Sequence, residues 1–368
     1  MRKSLWLIYL LIIFSLGLAA CGPEGTESSR PSPEATQMEA TEGPEAVAGT
    51  ITVMTHDSFE ISEEVLAQFQ NENDVRVEFL KAGDTGTALN RAILTKEAPL
   101  ADVFYGVDNT FLSRALAEGI FDVYQTPLLE EIPDEFELDP EHRALPVDYG
   151  DVCLNYEKAY FEENDLEPPG NLEDLLQPEY EGLLVVENPA TSSPGLAFML
   201  ATIGHFGEDD WLDYWRGLVE NDVLVVNDWE TAYYSEFSQW GGTRPVVVSY
   251  GSSPPAEVIF AEEPIEEPPT AAVTADESCF RQIEFAGILH GTNKREMAQR
   301  WVDFMLSPAF QEDIPLQMFV FPVNENAELD ETFQNFLAVP EETAEVSPEA
   351  IAENREAWIQ AWTETVLR

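Results

Sequence analysis

The chain has 368 residues, with 18 lysines and arginines against 70 aspartates and glutamates, and a formal net charge of −52. This charge argues against a nucleic-acid partner and against a polybasic membrane contact, because anionic phosphates would be repelled by most of the surface. The negative charge of the whole chain favours cationic over anionic ligands in general. Adaptation of the protein surface to a salty environment would produce the same composition.

The first 25 residues indicate export. A basic start is followed by an apolar run over residues 5–18 that is too short and wrongly flanked for a membrane span. The run ends in Leu-Ala-Ala-Cys, which resembles the bacterial lipoprotein processing site. We therefore expect a signal peptide over residues 1–20, a lipid on Cys21, and a disordered tether over residues 21–49, which is rich in Pro, Glu, Ser, Thr and Gly.

Strands and helices alternate from residue 50 onward. Short β runs at residues 50–55, 75–80 and 101–106 are each followed by a helical pattern. Ser62 is the expected N-cap of the first helix, and Asp108 is the expected N-cap of the third. This alternation predicts a doubly wound α/β sheet.

The alternation restarts with a different spacing after a long extended run at residues 147–156. A strand at residues 183–187 then leads into a long helix that begins at Ser192 and Ser193, with Pro194 in its first turn.

A buried strand is predicted at residues 245–249. An extended run at residues 279–289 is predicted to return the chain to the first lobe. The sequence therefore predicts an α/β protein whose mixed, doubly wound sheets form two lobes joined by hinge strands. The predicted divisions are lobe 1 at residues 50–146 and 282–330, lobe 2 at residues 147–281, and a C-terminal helical segment at residues 331–368.

Two cysteines remain besides Cys21, and both lie in strand-like settings. Outside the cytoplasm such a pair forms a disulfide more often than a metal site or a catalytic thiol, so we predict a bond between Cys153 and Cys279. The four histidines show no metal-ligand spacing, so no metal is expected.

Polar turns follow three of the predicted strands. They are Asp84-Thr85, Ser192-Ser193, and the Tyr-Gly-Ser-Ser turn at residues 250–253. Open α/β sheets bind small ligands at such edges, and a helix N-terminus attracts an anion or a hydroxyl oxygen. Helix capping would explain the two serines equally well, and an ordinary turn would explain Asp84.

The order of several motifs carries a family resemblance. The most specific motifs are Thr-Ser-Ser-Pro-Gly-Leu at residues 191–196 and Ser-Tyr-x-x-Ser-Pro at residues 249–254, with Trp229 between them. Weaker motifs include Asp-Ser-Phe at residues 57–59 and Ser-Pro-Ala-Phe-Gln at residues 307–311. Together they resemble the thiamine-binding proteins of bacterial ABC importers, which have the type II periplasmic-binding-protein fold. The resemblance covers residues 51–368.

The resemblance implies which residues contact the ligand. The implied contacts are Asp84, Thr85, Ser192, Ser193, Trp229, Tyr250, Gly251, Ser252 and Ser253, and further cleft residues are His56, Asp57, Asp148, Tyr149 and Phe319. Trp229 and Tyr250 would stack on the rings of thiamine and its cation, and Asp84 would meet the cation or the amino group. The serines would hold the hydroxyl or phosphate arm.

The chain also departs from the family pattern. His56 stands where the family often has Tyr, Phe319 where a Trp is expected, and Gly251 where a hydroxyl residue is common. These departures leave thiamine, its phosphates and a related pyrimidine open as ligands.

The resemblance implies an extracytoplasmic, lipid-anchored, monomeric receptor. It would deliver thiamine or a thiamine phosphate to an ABC permease with its ATPase, without a cofactor and without catalysis. One alternative is a receptor for another small cation, a polyamine or ferric iron, with oxygen ligands from Tyr233, Tyr234 and Tyr250. The other is a thiamine-degrading enzyme with Cys153 as nucleophile and an acid such as Asp151 or Glu284.

Overall fold

The computed structural model describes residues 49–261 and 263–368. The predicted signal peptide, the predicted lipidation site Cys21 and the predicted tether lie outside these residues, except for Gly49, which begins the first strand. Within the described ranges, no helix combines the length and the apolar character that crossing a membrane requires.

The described residues form strands and helices in alternation. Strands β1–β11 are Gly49–Thr55, Val75–Lys81, Val103–Asp108, Phe121–Asp122, Leu145–Glu157, Leu184–Glu187, Leu224–Val226, Val246–Tyr250, Thr270–Val273, Phe280–Leu289 and Phe321–Pro322. Helices α1–α11 are Glu63–Asn73, Thr85–Leu94, Leu112–Glu118, Lys158–Glu163, Ser193–Glu220, Ser253–Ile259, Arg295–Leu306, Pro308–Gln311, Ile314–Gln317, Glu331–Phe336 and Pro348–Val366. Helix α5 is interrupted at Gly207, whose φ of 79° is not helical.

A mixed sheet with the order β2-β1-β3-β10-β5-β8-β6-β7 organises the chain. Strands β1, β2 and β3 are parallel to one another, and so are β6, β7 and β8. Strands β5 and β10 run antiparallel between these two groups. The first half of β5 pairs with β10 and its second half pairs with β8, so β5 crosses from one group to the other.

Most of the predicted strands and helices are present in the structure, but the prediction was wrong near Asp108. Ser62 caps α1 as predicted, since its Oγ accepts a hydrogen bond from the Val65 amide at 3.3 Å. The third strand ends at Asp108 rather than at Gly106, and Asp108 does not cap α3. Its carboxylate accepts from the Thr110 amide at 2.7 Å in a preceding turn, and the helix begins only at Leu112.

The predicted disulfide is confirmed. Cys153 lies in β5, Cys279 directly precedes β10, and their sulfur atoms are bonded. Both cysteines are fully buried. The bond fastens the two crossing strands where Val152 pairs with Phe280.

A small apolar cluster lies apart from the main core and supports the site. Its members are Val185, Trp229, Ala232, Tyr233, Phe237 and Val247. The cluster fills the space between β6, β8 and the π-helical turn Thr231–Glu236. It places the indole of Trp229 at the end of the sheet.

Candidate functional site

A cavity of about 290 Å³ opens where strands of both parallel groups end. His56 follows β1, Asp84 follows β2, Ser193 follows β6, and Tyr250 ends β8. Open α/β sheets bind small ligands beyond the carboxyl ends of their strands, so the topology itself places a binding site here.

The structure brings the three predicted polar turns together around this cavity. The predicted residues on its wall are Asp84, Thr85, Ser193, Trp229, Tyr250, His56 and Phe319. The remaining predicted residues are not on the wall, namely Ser192, Gly251, Ser252, Ser253, Asp57, Asp148 and Tyr149.

Asp84 connects the first turn to Trp229. It is the N-cap of α2, and its Oδ1 accepts from the Thr85 amide at 2.7 Å. Its Oδ2 accepts from the Trp229 amide at 3.3 Å. Burial raises the pKa of Asp84 to about 6, against the opposing effect of these hydrogen bonds.

Trp229 and Tyr250 form an aromatic corner that the protein holds in place. Their ring centroids are 6.4 Å apart at an interplanar angle of 63°. The Trp229 indole donates to Ser249 Oγ at 3.1 Å and stacks on Tyr233 at 5.0 Å. The Tyr250 hydroxyl donates to Gln282 Oε1 at 3.0 Å. Both rings are therefore oriented before any ligand arrives.

Of the four predicted serines, only Ser193 is on the cavity wall, and Ser253 supports the aromatic corner. Ser253 Oγ lies 2.9 Å from Ser249 Oγ and accepts from the Tyr250 amide at 3.3 Å. Ser252 Oγ donates to the backbone carbonyl of Phe319. Ser193 does line the cavity, and its hydroxyl accepts from Gln282 Nε2 at 2.7 Å.

Gly251 departs from the family pattern for a steric reason. A Cβ atom at this position would lie 2.4 Å from the carbonyl oxygen of Ala338, a contact that the backbone does not allow. A side chain with a hydroxyl group therefore does not fit here.

The other predicted cleft residues have structural contacts. Asp57 accepts from the Gly83 amide at 2.9 Å. Tyr149 stacks on Phe136 at 4.8 Å, and the guanidinium of Arg281 lies 5.1 Å from its ring centroid. Asp148 is fully buried behind the wall and belongs to an acidic group described below.

The cavity wall includes residues that the predicted site omitted. They are Ser58, Glu60, Pro194, Glu230, Tyr234, Gln282, Glu284, Gln317, Met318 and Val320. One signal was present in the sequence, because Gln282 and Glu284 are polar residues two apart in a strand that is apolar apart from them and Arg281, and so they share one face. Glu230 and Tyr234 adjoin Trp229 on the turn that follows β7.

The cavity is acidic. Carboxyl groups of Glu60, Asp84, Glu230 and Glu284 line it, and among the described lining residues there is no Lys or Arg. Glu60 is paired with Lys81, which lies outside the wall. Burial, reinforced by the charge of Lys81, lowers the pKa of His56 to about 4, so this histidine is neutral at pH 7. A cation is the kind of ligand that this wall suits.

In residues 49–261 and 263–368, no group of three or more His, Cys, Asp or Glu side chains is placed to hold a metal ion. Multidentate clusters of this kind are typical of protein metal sites.

An acidic and aromatic cavity between two α/β groups, crossed by two long strands, defines a binding protein for small solutes. Residues 98–342 match the family described as bacterial extracellular solute-binding protein, and the chain belongs to this family.

Individual relatives are similar over nearly the whole chain. The thiamine-binding periplasmic protein of Escherichia coli (strain K12) is 29% identical over 323 residues, which cover 86% of this chain and 94% of that protein. The protein of the same name from Brucella suis biovar 1 is 28% identical over 327 residues, covering 87% and 92% respectively.

A solved structure supports the same relationship. The periplasmic thiamin binding protein aligns with a TM-score of 0.77 and 28% identity, covering 87% of this chain and 96% of that one. The predicted family resemblance and the predicted two-lobed type II periplasmic-binding-protein fold are thereby confirmed.

Proposed function

We propose that this protein captures thiamine, or a closely related cation, in the acidic and aromatic cavity. The observation that carries the proposal is the composition of the wall, which combines aromatic rings with four carboxyl groups, one of them paired with Lys81, and has no Lys or Arg among its described residues. Thiamine is the cation chosen because relatives at 28–29% identity are named for binding it.

The wall offers a partner for each part of thiamine. Trp229, Tyr234 and Tyr250 present ring faces to the aminopyrimidine and the thiazolium, and each cation–π contact contributes about 0.5–2 kcal/mol. Asp84 accepts from the amino group or pairs with the cation. A free hydroxyethyl arm suits this wall better than a phosphorylated arm, because no basic side chain among the described lining residues would neutralise a phosphate.

Capture would involve closure of the two lobes about the crossing strands β5 and β10. Both predicted domain boundaries, at residues 146–147 and 281–282, fall within these strands. Lobe closure around a ligand excludes water and presents a distinct surface to a partner. We propose that the closed monomer docks on an ABC permease with its ATPase, and that a lipid on Cys21 keeps it at the membrane.

The two alternative functions have less support. A ferric receptor would use oxygen ligands from Tyr233, Tyr234 and Tyr250. The hydroxyl groups of Tyr233 and Tyr250 donate instead to Glu257 and Gln282, and Tyr233 is not on the cavity wall. A thiol enzyme would need a free nucleophile, but Cys153 is bonded to Cys279 and is fully buried. Binding without chemistry is therefore the function that we propose.

Calorimetry would test the proposal. The protein is unfolded, dialysed and refolded to remove any ligand acquired during expression, and it is then titrated with thiamine, thiamine monophosphate, thiamine diphosphate, spermidine and ferric citrate. We expect saturable 1:1 binding of thiamine, with weaker binding of both phosphates. Saturable binding of spermidine or ferric citrate in the absence of thiamine binding would overturn the proposal.

A further inference from the structure

Glu284 belongs to a buried group of acidic side chains in the centre of the sheet. In the strand pairing it stands opposite Asp148 of β5 on one side and Asp108 of β3 on the other. Its side chain is also part of the cavity wall, although the residue is only 6% exposed. We call Tyr105, Asp108, Asp148 and Glu284 the acidic cluster.

The short contacts within the acidic cluster require an additional proton. The Tyr105 hydroxyl donates to Asp148 Oδ2 at 2.6 Å and also lies 3.2 Å from Glu284 Oε2. A phenol has one proton, and the two distances show that Tyr105 donates it mainly to Asp148 and at most weakly to Glu284. The second contact is therefore favourable only when a carboxyl group itself carries a proton.

The directions of the two pKa shifts favour Glu284 over Asp148 as the side chain that carries this proton. Burial, followed by the negative charge of Asp148, raises the pKa of Glu284 well above its usual range. Burial raises the pKa of Asp148 less, to about 6, because the hydrogen bond from Tyr105 favours its ionised form.

The surroundings of Glu284 provide no strong counter-charge. The titratable groups that face it are Tyr105 and Asp108 of β3, Asp148 of β5, Tyr250 of β8, and His56 after β1. Among the described residues, His56 is the one basic side chain within 4.0 Å, with Nε2 at 3.6 Å from Glu284 Oε1. This Nε2 atom and Asp148 Oδ1 are buried without a hydrogen-bond partner in the described part of the chain.

We infer that Glu284 is the counter-ion for the positively charged part of the ligand, and that the cation takes the place of the proton that Glu284 shares with Tyr105 and Asp148. The inference rests on the proposed capture of a cation such as thiamine. One proton leaves the carboxyl group for solvent when one cation enters, so the net charge of the cavity does not change. The cavity therefore binds the cation without leaving an unpaired buried charge.

The exchange makes binding depend on pH in a defined direction. The free protein holds a proton that the complex releases, so affinity rises with pH, by up to tenfold for each pH unit. The affinity stops rising at the pH above which the free protein has already lost this proton. A neutral isostere of thiamine, with carbon in place of the thiazolium nitrogen, would bind without this dependence.

Calorimetry in buffers of different ionisation enthalpy measures the exchange directly. Thiamine is titrated at pH 6, 7 and 8 in each buffer, and the slope of the observed enthalpy against the buffer ionisation enthalpy gives the protons released. We expect about one proton for each thiamine bound at pH 7. This measurement uses the unmodified protein, so it does not depend on whether a variant folds.

The Glu284→Gln variant then assigns the proton to this side chain. We expect it to release no proton and to bind thiamine at least about tenfold more weakly at pH 8, while it keeps its affinity for the neutral isostere. The matched control is Glu78→Gln, which removes an exposed charge from β2 and should behave as the unmodified protein.

The possible failures are distinguishable. Thiamine binding without proton release at any of the three pH values, or unchanged proton release in Glu284→Gln, would overturn this inference and leave the proposed function standing. An absence of thiamine binding at every pH would overturn both.

Discussion

The two sides of the cavity are built on different principles. On the aromatic corner, Trp229 and Tyr250 each have a hydrogen-bond partner, Ser249 and Gln282 respectively, and the rings are fixed. In the acidic cluster, Asp148 Oδ1 has no partner among the described residues, and the pKa values of Asp148 and Glu284 are raised by burial.

This difference separates two tasks of a binding site. Fixed rings lower the entropy that must be lost on binding, so the aromatic corner contributes shape and affinity. On the inference above, Glu284 carries a proton in the free protein and becomes charged when a cation enters, so the acidic cluster would select for cations. The predictions that follow perturb one side at a time.

The largest effect should come from pH, which acts on the buried acids. Burial raises the pKa of Asp84 to about 6, that of Asp108 to about 7 and that of Asp148 to about 6, from ordinary values of 3.8. A carboxyl group with a raised pKa in the folded protein contributes to the free energy of unfolding through its protonated form. That contribution is complete below about pH 4 and is lost as the pH rises through the pKa of the folded protein. The free energy of unfolding should therefore fall between pH 5 and pH 8.

Urea unfolding at pH 5 and pH 8 checks this expectation. Each unit of pKa difference is equivalent to about 1.4 kcal/mol, so the summed loss should reach several kcal/mol. His56 acts in the opposite direction, because its pKa is lowered to about 4, but it is a single group against several. High salt in both samples screens repulsion across the surface. A higher midpoint at pH 8 than at pH 5 would contradict the prediction.

Replacing Trp229 should damage the aromatic side with a smaller effect. Trp229→Ala removes the ring face and the stacking on Tyr233, so we expect thiamine affinity to fall by about 2 kcal/mol, roughly 30-fold. The proton released on binding should stay the same, because the acidic cluster is intact. Calorimetry measures both quantities.

A matched control for that variant lies in the same segment. Trp240 is 46% exposed and is not part of the cavity wall, so Trp240→Ala should bind thiamine like the unmodified protein. Equal losses in the two variants would show that the segment, not the Trp229 ring, sets the affinity.

The smallest effect is expected at Asp84, where the two sides meet. Asp84→Asn keeps one side-chain oxygen that can cap the helix. It loses the negative charge and the second oxygen, so it cannot accept from the amides of both Thr85 and Trp229. We expect about tenfold weaker thiamine binding at pH 8 and a smaller loss at pH 5, since the pKa of about 6 leaves the native group protonated there. Calorimetry at the two pH values tests this, and an equal loss at both would exclude a role for the charge.

The sequence was sufficient for much of the fold because its signals are local. Strand–helix alternation, the Ser62 cap and the Pro194 start of α5 depend on neighbouring residues, and the structure has them. The three polar turns could be predicted for the same reason, because each lies between the end of a strand and the start of the next helix. Asp108 misled the prediction because its short side chain suits a turn as well as a cap.

The acidic cluster could not be predicted in this way. Tyr105, Asp148 and Glu284 are far apart in the sequence, and only the pairing of β3, β5 and β10 brings them together. The serines at residues 252 and 253 illustrate the converse, because a hydroxyl in a turn can face a ligand or support its neighbours. The sequence alone does not show which of these two orientations a serine hydroxyl adopts.

The bond between Cys153 and Cys279 has a consequence for how the polypeptide can be broken. The two cysteines are 126 residues apart, so the bond closes a covalent ring that contains β6, β7, β8 and β9. A protease that cuts one surface loop inside this ring produces two fragments that remain a single molecule until the sulfur atoms are reduced. A nicked receptor in an oxidising compartment would keep all the segments from which its binding cavity is built.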